Sequence, residues 1–245
     1  MMLRSVISAV HAISRVAIVA ALVVAGGCAP SRTSRMSDSA LGTYDPAANR
    51  VTRTVVEPQP IAFNPMTLKG RGQQATTTFD LPAGLYLVRM KNQGTSNFAV
   101  WLDHADTGEH ADLLANTIGN FSGSHALPVK TGTYLLNVEG GSWEVTIETP
   151  TYAGAPTAPT TFTGTSASGS NVVELTRGLA RFTLSAKGRG NFAVWLFGGD
   201  GKRVDLLAND IGAFDGSKAV QIPLDGPYVL DVTADGAWTI QVEQS

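Results

Sequence analysis

One cysteine, Cys28, in 245 residues leaves no partner for a disulfide within the chain, so ordinary apolar cores must hold whatever folds. Long apolar runs are missing as well. The longest, Val16 to Gly27, falls short of the ~20 residues that span a bilayer. An excess of positive charge is absent, with 18 Lys and Arg against 20 Asp and Glu, which argues against a nucleic-acid partner. After Cys28 no segment keeps a 3.6-residue apolar spacing over three turns, so the body of the chain is not expected to be helical. Nor is there a Gly-x-Ser-x-Gly elbow, a zinc-binding helix motif or a phosphate loop. These absences point to a non-enzyme that needs no cofactor.

What is present starts with a basic N-terminal segment carrying Arg4 and Arg15, followed by the apolar run and small residues. That order describes a secretory signal over residues 1–27. Its end, Ala25-Gly26-Gly27-Cys28, resembles the lipobox of bacterial lipoproteins. The resemblance implies a diacylglyceryl group on the Cys28 sulfur, cleavage before it and acylation of the new amino group. Several acyl chains, at about 0.8 kcal/mol per buried methylene, make a stable anchor. Ala29 after the cysteine, rather than Asp, implies the outer membrane where the host has one. Residues 28–60 contain scattered Ser, Arg and Pro without apolar period and read as an extended tether. Its Arg32, Arg35, Arg50 and Arg53 are diluted by Asp38, Asp45 and Glu57.

The remainder is a duplication. The segment from Thr67 to Glu148 returns from Thr161 to Glu243, displaced by about 94 positions, which fits copying of a whole small domain rather than a solenoid period. Asn97-Phe-Ala-Val-Trp-Leu102 recurs as Asn191-Phe-Ala-Val-Trp-Leu196, and Asp112-Leu-Leu-Ala-Asn116 as Asp205-Leu-Leu-Ala-Asn209. The copies are expected over residues 61–149 and 161–245. A Pro-rich spacer, 150–160, lies between them.

Within a copy the apolar period is two. Tyr86, Val88 and Met90 share one face of a strand, as do Phe98, Val100 and Leu102, with Ala99 and Trp101 opposite. Turn residues such as Pro82-Ala-Gly84, Thr131-Gly132 and Gly140-Gly141 punctuate the runs. Seven or eight short strands per copy predict an all-β protein of two tandem antiparallel sandwiches of jelly-roll type. Between copies, Val88 becomes Phe182 and Met90 becomes Leu184, the exchange of apolar volumes that a core tolerates. Leu87 becomes Arg181 and Arg89 becomes Thr183, which reads as solvent exposure. Trp143 and Trp238, each able to bury ~150–250 Å², are expected in the cores.

The repeated residues, from the Asn-Phe-x-Val-x-Leu strand through Asp-Leu-Leu-x-Asn-x-Ile-Gly to the closing Trp-x-Ile, resemble small β-sandwich modules of bacterial exported proteins. In outline they are similar to pre-peptidase C-terminal and CUB-like domains. Copy 1 departs at its start, with Leu68 in place of Phe162. The resemblance implies an accessory role, binding or spacing at the cell surface without catalysis, with an envelope protein or a glycan as partner.

Four sets of residues are candidates for chemistry. The run from Asp103 to Asp112 places His104 and His110 among Asp103, Asp106 and Glu109, workable for zinc or an envelope hydrolase if the loop gathers them. A polar hairpin explains the run equally, since copy 2 lacks both histidines there. Asp112, Asn116, Asp205 and Asn209 offer oxygens at equal positions, too few for calcium and suited to backbone hydrogen bonds. Ser124 and His125 are triad types, yet neighbours on one strand point to opposite faces. Trp101 and Trp195, opposite the core rows, offer indoles that stack on a sugar, cover a neighbouring module or serve as half-buried cross-strand partners.

Overall fold

The computed structural model describes residues 63–244, so the signal segment, Cys28 and the tether through residue 60 lie outside the described residues. Module 1 is built from β1 (Met66–Arg71), β2 (Gln74–Ala75), β3 (Phe79–Leu81), β4 (Gly84–Gln93), β5 (Asn97–His104), β6 (His110–Ile118), β7 (Phe121–Val129), β8 (Gly132–Glu139) and β9 (Ser142–Glu148). Module 2 follows with β10 (Thr160–Gly164), β11 (Ser168–Leu175), β12 (Gly178–Ala186), β13 (Asn191–Gly198), β14 (Arg203–Ile211), β15 (Phe214–Ile222), β16 (Gly226–Thr233) and β17 (Trp238–Gln244).

Each module has a back sheet, β1-β9-β4-β7 or β10-β17-β12-β15, and a front sheet, β2-β8-β5-β6 or β11-β16-β13-β14. The paired strands are antiparallel, and this order is that of a jelly roll, as the period-two segments predict. The expected all-β tandem sandwich is the fold of the chain. One element differs between copies. Where module 2 runs the single strand β11, module 1 has β2 and β3, both paired to β8.

Alternation buries one face of every sheet. Tyr86, Val88, Met90, Val145 and Ile147 meet Phe98, Val100, Leu102, Leu136 and Val138 in module 1. Phe182, Leu184, Ile240 and Val242 meet Phe192, Val194, Leu196 and Leu230 in module 2. The tryptophans near the end of each copy are buried as expected, and each needs a glycine seat. A Cβ on Gly70 would stand 2.2 Å from Cζ2 of Trp143, and one on Gly164 would stand 2.4 Å from Cζ2 of Trp238. Both indoles also donate inside the fold, Trp143 to the Gly72 carbonyl and Trp238 to that of Ser166.

The modules pack on each other. Leu85 and Ala126, on the outer side of module 1's back sheet, form a cluster with Val172, Phe197 and Val229 from the outer side of module 2's front sheet. Tyr152 and Ala155 of the inter-module segment join it, and the Tyr152 hydroxyl donates to the Gly199 carbonyl. The Pro-rich spacer is therefore held against the body at Tyr152 and Ala155. Leu87 corrects an expectation: it points outward from β4 yet is 3% exposed, so its replacement by Arg181 marks a change of neighbour and not a solvent-facing position in both copies.

Module 2 also covers the edge of β7. The Ser124 amide donates to the Ala167 carbonyl, the Gly169 amide donates to Oγ of Ser124, and the Ser166 hydroxyl donates to the Ser122 carbonyl. An edge strand so occupied cannot recruit another chain. Glycine is required at the closest point, because a Cβ on Gly169 would lie 2.2 Å from the Ala126 nitrogen.

Candidate functional site

The two front sheets present equivalent outer faces, and register fixes the correspondence. Trp101 lies opposite Asn137 and Asp103 opposite both Leu135 and His110. In module 2, Trp195 lies opposite Asp231 and Phe197 opposite both Val229 and Arg203. Module 2 thus carries Phe197, Asp231 and Arg203 where module 1 carries Asp103, Asn137 and His110.

On module 2 this face is the docking surface for module 1. Phe197 and Val229, 2% and 0% exposed, lie under Leu85 and Ala126. Asp231, 1% exposed, is buried with them. Its Oδ1 accepts the edge amide of Ala126 at 2.8 Å. Its Oδ2 stands 2.8 Å from Nδ1 of His125, a charge contact outside hydrogen-bond alignment. Nε2 of His125 faces Oδ2 of Asp112 at 3.9 Å. Burial alone would lower the His125 pKa, but the charge of Asp231 and the close polar contacts with both carboxylates outweigh it and raise the value to about 10. Burial likewise opposes ionisation of Asp112, and its contacts with His125 overcome this to hold the carboxyl below its ordinary value. The histidine is therefore a cation at neutral pH, clamped between one carboxylate from each module. Trp195 packs against the rim of the cluster with the Arg203 guanidinium 4.8 Å above its ring.

On module 1 no second module lies over the face among the described residues. Asp103, 3% exposed, accepts from Nδ1 of His110 at 2.6 Å and from Nδ2 of Asn137 in a short contact. The His110 ring stacks on Trp101 with centroids 4.5 Å apart and planes 27° apart. Trp101, Leu135 and Asn137 are half-buried, while His110 and Leu113 are exposed. The result is an aromatic and polar surface in which a buried carboxylate orients an imidazole and an amide.

The remaining sequence candidates are distributed elsewhere. His104 lies against Tyr134 with ring centroids 5.0 Å apart, and Asp106 caps the Thr107 amide, so the structure does not gather His104, His110, Asp103 and Asp106. No group of three or more metal-ligating side chains occurs among the described residues. Asp112 and Asp205 accept the amides of Leu113 and Leu206 and face His125 and Lys218, the cations at matching positions of β7 and β15. Ser124 is spent on the Gly169 amide and His125 on Asp231. Sequence reasoning missed Asn137 and Asp231. Their signal was an outward polar residue at the same position of both copies, between Leu136 and Val138 in one and Leu230 and Val232 in the other.

No family model matches the chain, and no curated protein matches it in sequence. Among solved structures it aligns with the PBSX exported protein XepA at 12% identity and a TM-score of 0.25, covering 73% of this chain and 83% of that one. A second alignment is with the M60 catalytic domain and its CBM51-1 and CBM51-2 domains from Clostridium perfringens ZmpB, at 9% identity and a TM-score of 0.27, covering 73% of this chain and 34% of that one. A third is with a conserved protein of unknown function from Pseudomonas aeruginosa PAO1, at 15% identity and a TM-score of 0.22, covering 73% and 80%. At scores of this size no function passes from those proteins to this chain.

Proposed function

We propose that this chain is an exported, non-catalytic binding protein of the cell envelope, moored by lipid on Cys28. Its two sandwiches act as one rigid body, and its binding surface is the outer face of the module 1 front sheet. One observation carries the second half of this reading. The equivalent face of module 2 is already used for protein contact, through Phe197, Val229 and Asp231, whereas that of module 1 is uncovered among the described residues and has exchanged those groups for Asp103, Leu135 and Asn137. The resemblance of Ala25-Gly26-Gly27-Cys28 to a lipobox supports the first half, with the outer membrane as the site where the host has one.

The composition of the open face favours a glycan over a protein as its partner. An indole beside an oriented imidazole, a carboxylate and an amide offers an apolar platform with hydrogen-bonding groups at its edge, which is what a sugar ring presents in reverse. Co-sedimentation of the mature protein with purified peptidoglycan tests this. The wild type is expected to pellet and Trp101→Ala to stay in solution while still folding cooperatively; equal pelleting of both would remove the face from the reading. Mass analysis of residue 28 tests the anchor separately, with a native product bearing an unmodified thiol as the result against it.

A further inference from the structure

We infer a second, independent binding site in module 2, a cleft at the tip of the β13–β14 hairpin that accepts a neutral saccharide ring. The inference comes from a place where the copies differ and does not rest on the front-sheet face of module 1. In module 1 the end of β5 is tied to β8 by the amide of Ala105 donating to the Thr133 carbonyl, and in module 2 the end of β13 is tied to β16 by Gly199 donating to Pro227. This makes His104 and Gly198 equivalent. In module 1 the His104 ring fills the space beside Tyr134, whose hydroxyl donates to the Lys130 carbonyl. In module 2 the matching tyrosine, Tyr228, donates in the same way to Leu224, but Gly198 has no side chain to place beside it. The hairpin of module 2 is also one residue shorter between its closing pair, and the facing loop from Ile222 to Gly226 is one residue longer. Beside Tyr228, where module 1 seats its own ring, module 2 opens a cleft of about 480 Å³.

The lining selects the ligand. Pro223, Leu224, Pro227 and Tyr228 make apolar walls, with Leu224 39% exposed and Tyr228 contributing only an edge. The rim carries Asp200 and Asp225 against Lys202 and Arg203, a balanced set that calls for no net charge on the ligand. These charges already have partners. Asp200 pairs with Lys202 at 2.8 Å, the Arg203 guanidinium lies over Trp195, and Asp225 accepts the Arg177 amide. What remains is hydrogen-bonding capacity around an apolar slot, large enough for one or two pyranose rings with their CH faces on the walls and hydroxyls at the rim.

The test is calorimetric titration of the mature protein with cellobiose, maltose, lactose and chitobiose. Gly198→His restores the module 1 plug: its φ is not in the left-handed region, and the one short contact of the new Cβ is with a side-chain end, Asp200 Oδ1 at 2.8 Å, which must turn aside from the Lys202 amide. Leu224→Asp alters the wall from an exposed position and serves as the second variant. At least one disaccharide is expected to bind saturably, to lose affinity about tenfold or more in both cleft variants, and to keep it in Trp101→Ala. Absence of binding by all four sugars, or any other pattern among the three variants, would overturn the cleft assignment. A loss confined to Trp101→Ala would return the sugar to the front-sheet face.

Discussion

The front sheets of the two modules have the same strand order, the same Asn-Phe-Ala-Val-Trp-Leu strand at their centre and opposite fates. Module 2 hides its outer face beneath Leu85 and Ala126; module 1 has no such cover among the described residues. The difference teaches that a duplicated sandwich joined head to tail creates one interior contact and two unmatched ends, and that divergence between the copies then tracks position in the pair. A heterologous contact of this kind would continue from molecule to molecule if both ends stayed complementary. Here the ends have changed. Phe197 is matched by Asp103, Leu87 by Arg181, and Gly169, which lies against β7, by Ala75.

The contrast breaks most completely at Asp231. Asp231→Ala would leave the His125 cation and the Ala126 edge amide without their carboxylate, and removal of one partner from a buried pair costs about 3–5 kcal/mol. Urea unfolding is expected to show that loss and to split into two transitions as the modules uncouple. Asp231→Asn installs the module 1 residue instead; NMR titration of His125 should then find its pKa moved from about 10 toward the ordinary 6.5. An unmoved titration would mean that the histidine does not sense module 2.

Gly169→Ala drives a methyl into the Ala126 backbone and is expected to cost about 1–3 kcal/mol, read from the same unfolding curves. A smaller comparison sets the two outward indoles side by side. Trp101→Ala removes the stack on His110 and should cost under about 1.5 kcal/mol. Trp195→Ala, at the rim of the inter-module cluster, should cost more; equal losses would deny that only one of these faces is structural.

The mildest probe is pH. The His125 pKa is raised on folding, so its contribution is complete below about 6.5 and is lost as pH rises toward about 10. Asp112 is shifted down, so its contribution holds above its ordinary value of 3.8 and fades as pH falls below that. Thermal midpoints should therefore be highest in the weakly acid range and decline on the alkaline side, and Asp231→Ala should flatten that decline.

Much of the fold was legible because strand alternation is a local property. Tyr86, Val88 and Met90 announced their inward face, and the swap of Met90 for Leu184 marked a core position without reference to any other protein. The site was harder to read. Trp101 and Trp195 occupy identical sequence contexts, and nothing within either strand says that Arg203 and the inter-module cluster shield one while His110 lies on the other. Leu87 was misread for the same reason, since an outward leucine looks exposed until the neighbour that covers it is known.

Chain order alone settled the all-β class, the duplication and the inward rows, because each follows from side-chain period along a single strand. The covering of one front sheet, the charge on His125, the orientation of His110 by Asp103 and the cleft left by Gly198 arose only when distant segments met. Exposure and ionisation depend on what stands opposite a residue, and that neighbour is supplied by packing rather than by the residues beside it in the chain.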